Sequence, residues 1–349
     1  MKIGIDISQT VFEGTGVGVY FRKISETLPR VDGINKYVFF GSSLRRRQKN
    51  FWPFPPTLLD ALWNQAHIFS VDNLIGKTDV FHTSDWLQPP TAAKKVTTIF
   101  DLVVFKFPET SHQKIVATQK RALEWAKKEV ARFIAISQST KKDAVKILKI
   151  PAEKIDVVYL APSLGPIVPG IQKKYSLDKP YLLALGTKEP RKNLPRLIEA
   201  FNKLGRPDID LIIVGKQGWE TEVLPSNKNV RLLGYIPESD KPALYSDARA
   251  FVYPSLYEGF GIPILEAMSV GCPVITSNVG SMPEAGGKAA IYVDPNDSGN
   301  ISDKLFDIIT MPSKKYSELK SRSLDQAKDF SWEKAARETV EVYKKAYGS

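Results

Sequence analysis

The stretch that most constrains what this chain can fold into runs from Ala250 to Gly271. Ala250-Phe251-Val252-Tyr253 is a short, unbroken apolar run, the pattern of a buried strand. From Pro263 the apolar spacing turns helical and continues until Gly271 and Pro273 stop it. Between the two lies Tyr257-Glu258-Gly259-Phe260-Gly261-Ile262, a loop in which Gly259 and Gly261 let the main chain approach a ligand closely. Pro263 suits the first helical turn, where its missing N–H costs nothing. A strand, a bare loop and a helix N-terminus in that order make an anion seat.

Two carboxylates bracket the seat, Glu258 and Glu266, with seven residues between them. Helical side chains tilt toward the N-terminus, so Glu266 leans back along the ligand and accepts hydrogen bonds from a vicinal diol such as a ribose. Glu258, on the other side of the phosphates, faces whatever group the diphosphate carries. Together they suggest a clamp for a nucleotide sugar. The competing reading is a structural glycine turn flanked by two solvated acids.

With Gly-Phe-Gly inside it, this Glu-x7-Glu segment resembles the donor site of family 4 retaining glycosyltransferases of the GT-B type. The resemblance continues through Leu183-Ala-Leu-Gly186-Thr-Lys-Glu-Pro-Arg191-Lys192-Asn193 and Val279-Gly-Ser-Met-Pro-Glu284, and covers nearly the whole chain. It implies an α/β protein of two doubly wound, Rossmann-like domains facing a cleft. The expected bounds are 1–163 for an acceptor-side domain, 164–330 for a donor-binding domain, and 331–349 for a helix crossing back to the first domain. The residues agree: both halves alternate strand and helix, and Leu160 to Gly170 is a linker by its Pro and Gly content.

In the first half, Lys2 to Ile7 reads as a strand and Gly14-Thr-Gly16-Val-Gly18 as the end of a loop entering a helix. A whole loop separates strand from glycines, which argues against a dinucleotide fingerprint. The resemblance makes Gly16 and Val17 donor contacts; a helix-capping turn is the other reading. Asp79-Val-Phe-His82 and Val96-Thr-Thr-Ile-Phe100-Asp101 are strands with polar ends, the end where open α/β sheets bind ligands. Asp101 is thus a catalytic candidate and His82 an acceptor-side one, or else a buried structural histidine. Many relatives carry His where this chain has Phe100.

In the second half, Lys192 matches the cation of the resembled family's basic motif and Arg191 adjoins it, so both are expected on the diphosphate, stabilising the leaving group together with the helix N-terminus and no metal; a solvated loop charge is the other reading for each. The resemblance puts Gly186 at the donor too, and Lys188 in place of an Arg that relatives carry at Thr187. Gly215, Lys216, Tyr235 and Ile236 are placed to hold the base through their backbone, or are ordinary strand-end turns. Asp208-Ile-Asp210 imitates a metal-binding pair but precedes a strand, at the wrong end for the site, so no catalytic metal is expected. No cofactor is expected beyond the nucleoside-diphosphate sugar as co-substrate.

The resemblance makes the reaction a retaining, metal-independent hexosyl transfer to a glycan or lipid-linked glycan. The Gly-Thr-Lys-Glu-Pro-Arg-Lys-Asn variant resembles mannosyltransferases of surface-polysaccharide pathways, which makes GDP-mannose the first donor to consider. A glycoside hydrolase is disfavoured because its acids flank the scissile bond and need no phosphate seat. An epimerase of the same fold is weakened by the chain's three histidines, and a nucleic-acid-binding module by the lack of a binding motif.

Composition bears on the expected location more than on chemistry. A lone cysteine, Cys272, excludes an internal disulfide, and no run reaches the ~20 apolar residues of a membrane helix. The N-terminus alternates and breaks too early for a signal peptide, so a cytoplasmic protein is expected. The net charge of +11 is uneven: residues 1–160 hold 24 Lys/Arg against 15 Asp/Glu. Arg45-Arg46-Arg47 and Lys49 beside Phe51, Trp52 and Phe54, with Lys114 to Lys128 on a helix face, suggest peripheral attachment to an anionic inner leaflet; a solvated basic surface is the alternative.

Overall fold

In a computed structural model of the chain, all residues are described except 13, 45–49, 187–188 and 216–226. Contacts divide the chain into two units, Met1–Leu160 with Ser331–Ser349, and Ala161–Phe330.

The first unit is built on seven parallel strands: β1 (Lys2–Asp6), β2 (Lys36–Ser42), β3 (Phe51–Trp52), β4 (Val80–Ser84), β5 (Lys94–Ile99), β6 (Val130–Ala135) and β7 (Ile155–Val157). Their order is β3-β2-β1-β4-β5-β6-β7. The second unit has six: β8 (Tyr181–Leu185), β9 (Asp210–Val214), β10 (Val230–Gly234), β11 (Ala250–Tyr253), β12 (Val274–Ser277) and β13 (Ile291–Val293), ordered β10-β9-β8-β11-β12-β13. Each is a doubly wound, Rossmann-like sheet. Apolar strands such as Asp210-Leu-Ile-Ile-Val214 are buried throughout because helices cover both faces. Strand order reverses between β1 and β4, and between β8 and β11. Open α/β sheets bind ligands at such switch points, outside the carboxyl ends of the strands.

The helix Trp332–Tyr347 completes the first unit. Ser331 caps it by accepting the Lys334 N–H, and Ala335, Ala336, Thr339 and Tyr343 are buried on its inner face. The small side chains of Ala335, Ala336 and Thr339 let it lie close to the helix Gly16–Val31. Tyr343 meets His82 at 2.7 Å, and the other ring nitrogen of His82 bonds Thr98 Oγ1 at 2.8 Å. The acceptor-side expectation for His82 is corrected here: it is wholly buried in a polar network beneath the last helix. Burial favours the neutral ring and lowers its pKa to about 3.

A second correction concerns the basic and aromatic tract. Phe51 and Trp52 are not free to seek an interface. They form the edge strand β3 on β2, and Trp52 stacks on Phe40 with ring centroids 5.2 Å apart. Phe54 packs against the same core cluster. The cations of that tract, Arg45 to Arg47 and Lys49, lie outside the described residues.

Candidate active site

The site of the second unit is built where β8 and β11 end, at its switch point. After β8 the chain makes a tight turn at Pro190–Lys192, closed by Asn193 in the left-handed region at φ 60°. Asn193 is buried because its amide ties two other strand ends to this turn, donating to the carbonyls of Pro254 at 3.0 Å and Pro295 at 2.7 Å. The Leu256 N–H donates to the Arg191 carbonyl at 2.8 Å. The turn is therefore bolted to the loop that carries Glu258. Gly186 serves the same construction, since a Cβ there would meet the Lys192 stem at 3.2 Å.

These supports bring together three expected residues. Glu258 accepts from Arg191 Nη1 at 2.7 Å through Oε2 and from Lys192 Nζ at 2.7 Å through Oε1. Arg191 also donates to Glu189 at 2.8 Å. Lys192 donates to the Tyr253 hydroxyl at 2.7 Å and lies 4.9 Å from that ring's centroid. Burial would push the Glu258 carboxyl up, but Arg191 and Lys192 together hold it at about 2. Burial lowers the Lys192 pKa against the upward pull of Glu258, and Arg191 adds to the lowering. An ammonium has three donors, and Glu258 and Tyr253 take two. The sequence reading assigned Glu258 to the group that the diphosphate carries and the two cations to the diphosphate, and did not pair them; in the structure Glu258 sits directly on both cations.

Gly261, at φ 98°, turns the loop into the helix Ile262–Ser269, with Pro263 in its first turn. A side chain would be strained at that φ, and its Cβ would stand 3.1 Å from Ile264. Gly259 is buried in the same loop, and Ser281 holds the loop by donating to the Glu258 carbonyl at 2.8 Å. Phe260 offers the site only main chain, because its ring is buried against Phe330 at 5.7 Å. Glu266 is buried, accepting one long bond from Tyr245 at 3.3 Å. Burial raises its pKa, Lys241 opposes this, and Glu238 adds to the rise.

The remaining candidates are less converged. Gly215 donates to the Gly234 carbonyl at 2.9 Å; Ile236 is a core side chain and Tyr235 is exposed. Lys188 and Lys216 lie outside the described residues. Asp208 pairs with Arg206 at 2.7 Å, and Asp210 accepts from Asn229 at 2.9 Å, both at the start of β9 and away from its carboxyl end. In the first unit, Gly16 and Val17 open the helix Gly16–Val31, which Thr15 caps by accepting from Gly18 N at 3.1 Å. Asp101, half-buried beyond β5, accepts from Val103 N at 3.0 Å.

Sequence reasoning gave no role to Asn193 and Tyr253, which support the site, and did not single out the buried Asp85. A Tyr closing an otherwise aliphatic and aromatic strand is a usable signal, since a buried hydroxyl needs a partner.

Comparison with known proteins gives the following. The family described as "Glycosyl transferases group 1" matches residues 171–326, and "Glycosyltransferase Family 4" matches residues 14–161. The O-antigen chain mannosyltransferase B of Escherichia coli is 36% identical over 286 residues, covering 77% of this chain and 74% of that protein. Sucrose-phosphate synthase from Thermosynechococcus elongatus superposes with a TM-score of 0.76 at 19% identity, over 100% of this chain and 99% of that one. An Anabaena protein solved with UDP-glucose superposes at 0.72 and 18% identity, over 99% of both chains.

Proposed function

This chain belongs to the family 4 glycosyltransferases of the GT-B type, and within that family we propose that it transfers mannose from GDP-mannose to a glycan or lipid-linked glycan, with retention and without a metal. The observation that carries this is the pairing of Arg191 and Lys192 at the end of β8 with Glu258 before the Gly261 helix start. Two fixed cations and a helix N-terminus supply what a departing diphosphate needs, stabilisation of charge that grows as it leaves. The third donor of Lys192 is available to a phosphate oxygen. Mannose is favoured by the 36% identity to an O-antigen mannosyltransferase.

In the proposed step, the bond between the sugar anomeric carbon and the diphosphate oxygen breaks, and the acceptor oxygen bonds to that carbon on the same face. The acceptor proton passes to a phosphate oxygen of the departing GDP. Glu258 orients sugar hydroxyls and the two cations at once, Glu266 takes the ribose diol, and Asp101 receives a hydroxyl on the acceptor side. Family membership displaces the nucleic-acid-binding alternative.

The acceptor side gives a reason to propose peripheral membrane association as well. Lys114, Lys120, Lys127 and Lys128 are exposed on the helix Gln113–Glu129, although Arg121 is tied to Asp60 at 2.9 Å. No helix among the described residues is long and apolar enough to cross a membrane. Liposome co-sedimentation at low and high salt tests the attachment. The activity is tested by mixing the protein with GDP-mannose, UDP-glucose and other donors in EDTA and following nucleoside diphosphate release. Release from GDP-mannose supports the reading; release only from another donor, or only with added metal, overturns the corresponding part.

A further inference from the structure

Asp85 is a buried carboxyl that neither the motif nor the family reading uses. It follows β4 directly, as Asp101 follows the end of β5, and these strands pair in parallel with Ser84 opposite Thr98. Both acids therefore stand at the carboxyl ends of neighbouring strands, next to the switch point of the first sheet. Asp85 is 1% exposed. Its Oδ2 accepts the Phe100 N–H at 3.3 Å, while its Oδ1 is buried with no hydrogen-bond partner among the described residues. The charged group that faces it is another acid, Asp101. An ionised carboxylate buried without a cation is costly, and a like charge beside it adds to the cost. Asp101 is less buried and has an amide donor of its own. The proton therefore belongs on Asp85 and the charge on Asp101.

We propose that Asp85 is a positioning residue that stays protonated beneath Asp101, so that this strand edge presents a single, oriented carboxylate, that of Asp101, to a hydroxyl of the acceptor sugar. A neutral Asp85 sets no second buried charge against Asp101, which leaves the Asp101 carboxylate to accept from the hydroxyl. The role in transfer rests on the glycosyltransferase reading given above; the protonation does not. In agreement, burial first and Asp101 second push the Asp85 carboxyl well above the ordinary carboxylate range.

Two measurements test this. In protein labelled with 13C at aspartate carboxyls and held near pH ~8, the expectation is a carboxyl resonance at a protonated position that vanishes in Asp85→Asn. Asp6, whose carboxyl is raised by burial to about 6, is ionised under that condition. In the kinetic arm, Asp85→Ala lowers kcat about tenfold or more with donor KM little changed. Asp85→Asn, which keeps the shape and hydrogen bonding of a neutral acid, recovers most of that loss. It also abolishes the alkaline fall in kcat that follows when the wild type loses the proton. A spectrum with every aspartate ionised, or an Asn variant as impaired as the Ala variant, overturns the proposal. If neither variant folds, the wild-type spectrum decides. If no nucleotide sugar is turned over by the wild type, the transferase reading fails while the resonance still settles the protonation.

Discussion

Replacing Glu258 with Gln should destabilise the second unit, and by an amount the site itself fixes. Despite burial, Arg191 and Lys192 hold the carboxyl at about 2, against an ordinary value of 4.5. At about 1.4 kcal/mol per pH unit, that corresponds to roughly 3 kcal/mol of differential stabilisation of the ionised form. The figure agrees with the ~3–5 kcal/mol cost of removing one partner from a buried ion pair, because two cations are left without their counter-charge. For a unit of this size, ~2–4 °C of melting temperature accompanies each kcal/mol, so a loss of about 6–12 °C is expected near neutral pH. The sign with pH follows from the depressed value. The carboxylate's contribution is fully present above its unfolded pKa of 4.5 and is lost as pH falls through the folded value of about 2. The difference in melting temperature between wild type and Glu258→Gln should therefore narrow as the buffer is taken from about pH 7 to about pH 3. Calorimetric scans of both proteins across that range make the test. A shift under about 1 °C at neutral pH, or one that does not change with pH, would refute the argument that the pair is a strong buried contact.

Glu266→Ala should weaken nucleoside diphosphate binding by about 1–3 kcal/mol, seen as a raised Kd in calorimetric titration, because a buried diol loses its acceptor. Lys192→Ala should lower kcat more than it raises donor KM, since its charge matters most as the diphosphate leaves; steady-state kinetics on the same donor shows which parameter moves. Tyr343→Phe leaves His82 Nδ1 unpaired in the core and should cost about 1–3 kcal/mol in urea unfolding, with no change in nucleotide affinity.

Most of both sheets could be read from the chain because parallel strands buried on two faces are continuous apolar runs, as in Leu211 to Val214 and Ala250 to Tyr253. That same burial hides direction. All five residues of β4 are buried, so no alternation told which way His82 turns, and its partner Tyr343 lies 261 residues away. The edge strand β3 was missed because two residues of partly buried aromatics carry no period. At the active site, local spacing gave the glycine loop and the helix start, while the pairing of Glu258 with Arg191 and Lys192 spans 66 residues or more and depends on how Asn193 ties three strand ends together. Asp85 escaped for a different reason: the sequence reading ends the strand at His82, whereas β4 runs on to Ser84 and puts Asp85 at its carboxyl end.

The return of the helix Trp332–Tyr347 to the first unit has a consequence for biosynthesis. A ribosome releases the chain from its N-terminus onward, so the 170 residues of Ala161–Phe330 are available to fold before the first unit has its last helix. Until the final turn of the chain emerges, His82 lacks the hydroxyl of Tyr343, and the face of Gly16–Val31 that receives Ala335, Ala336 and Thr339 stays uncovered. Nascent chains stalled short of Trp332 should therefore show a protease-resistant second unit and a protease-sensitive first one. Resistance of residues 1–160 in such chains would show that the unit folds without its last helix.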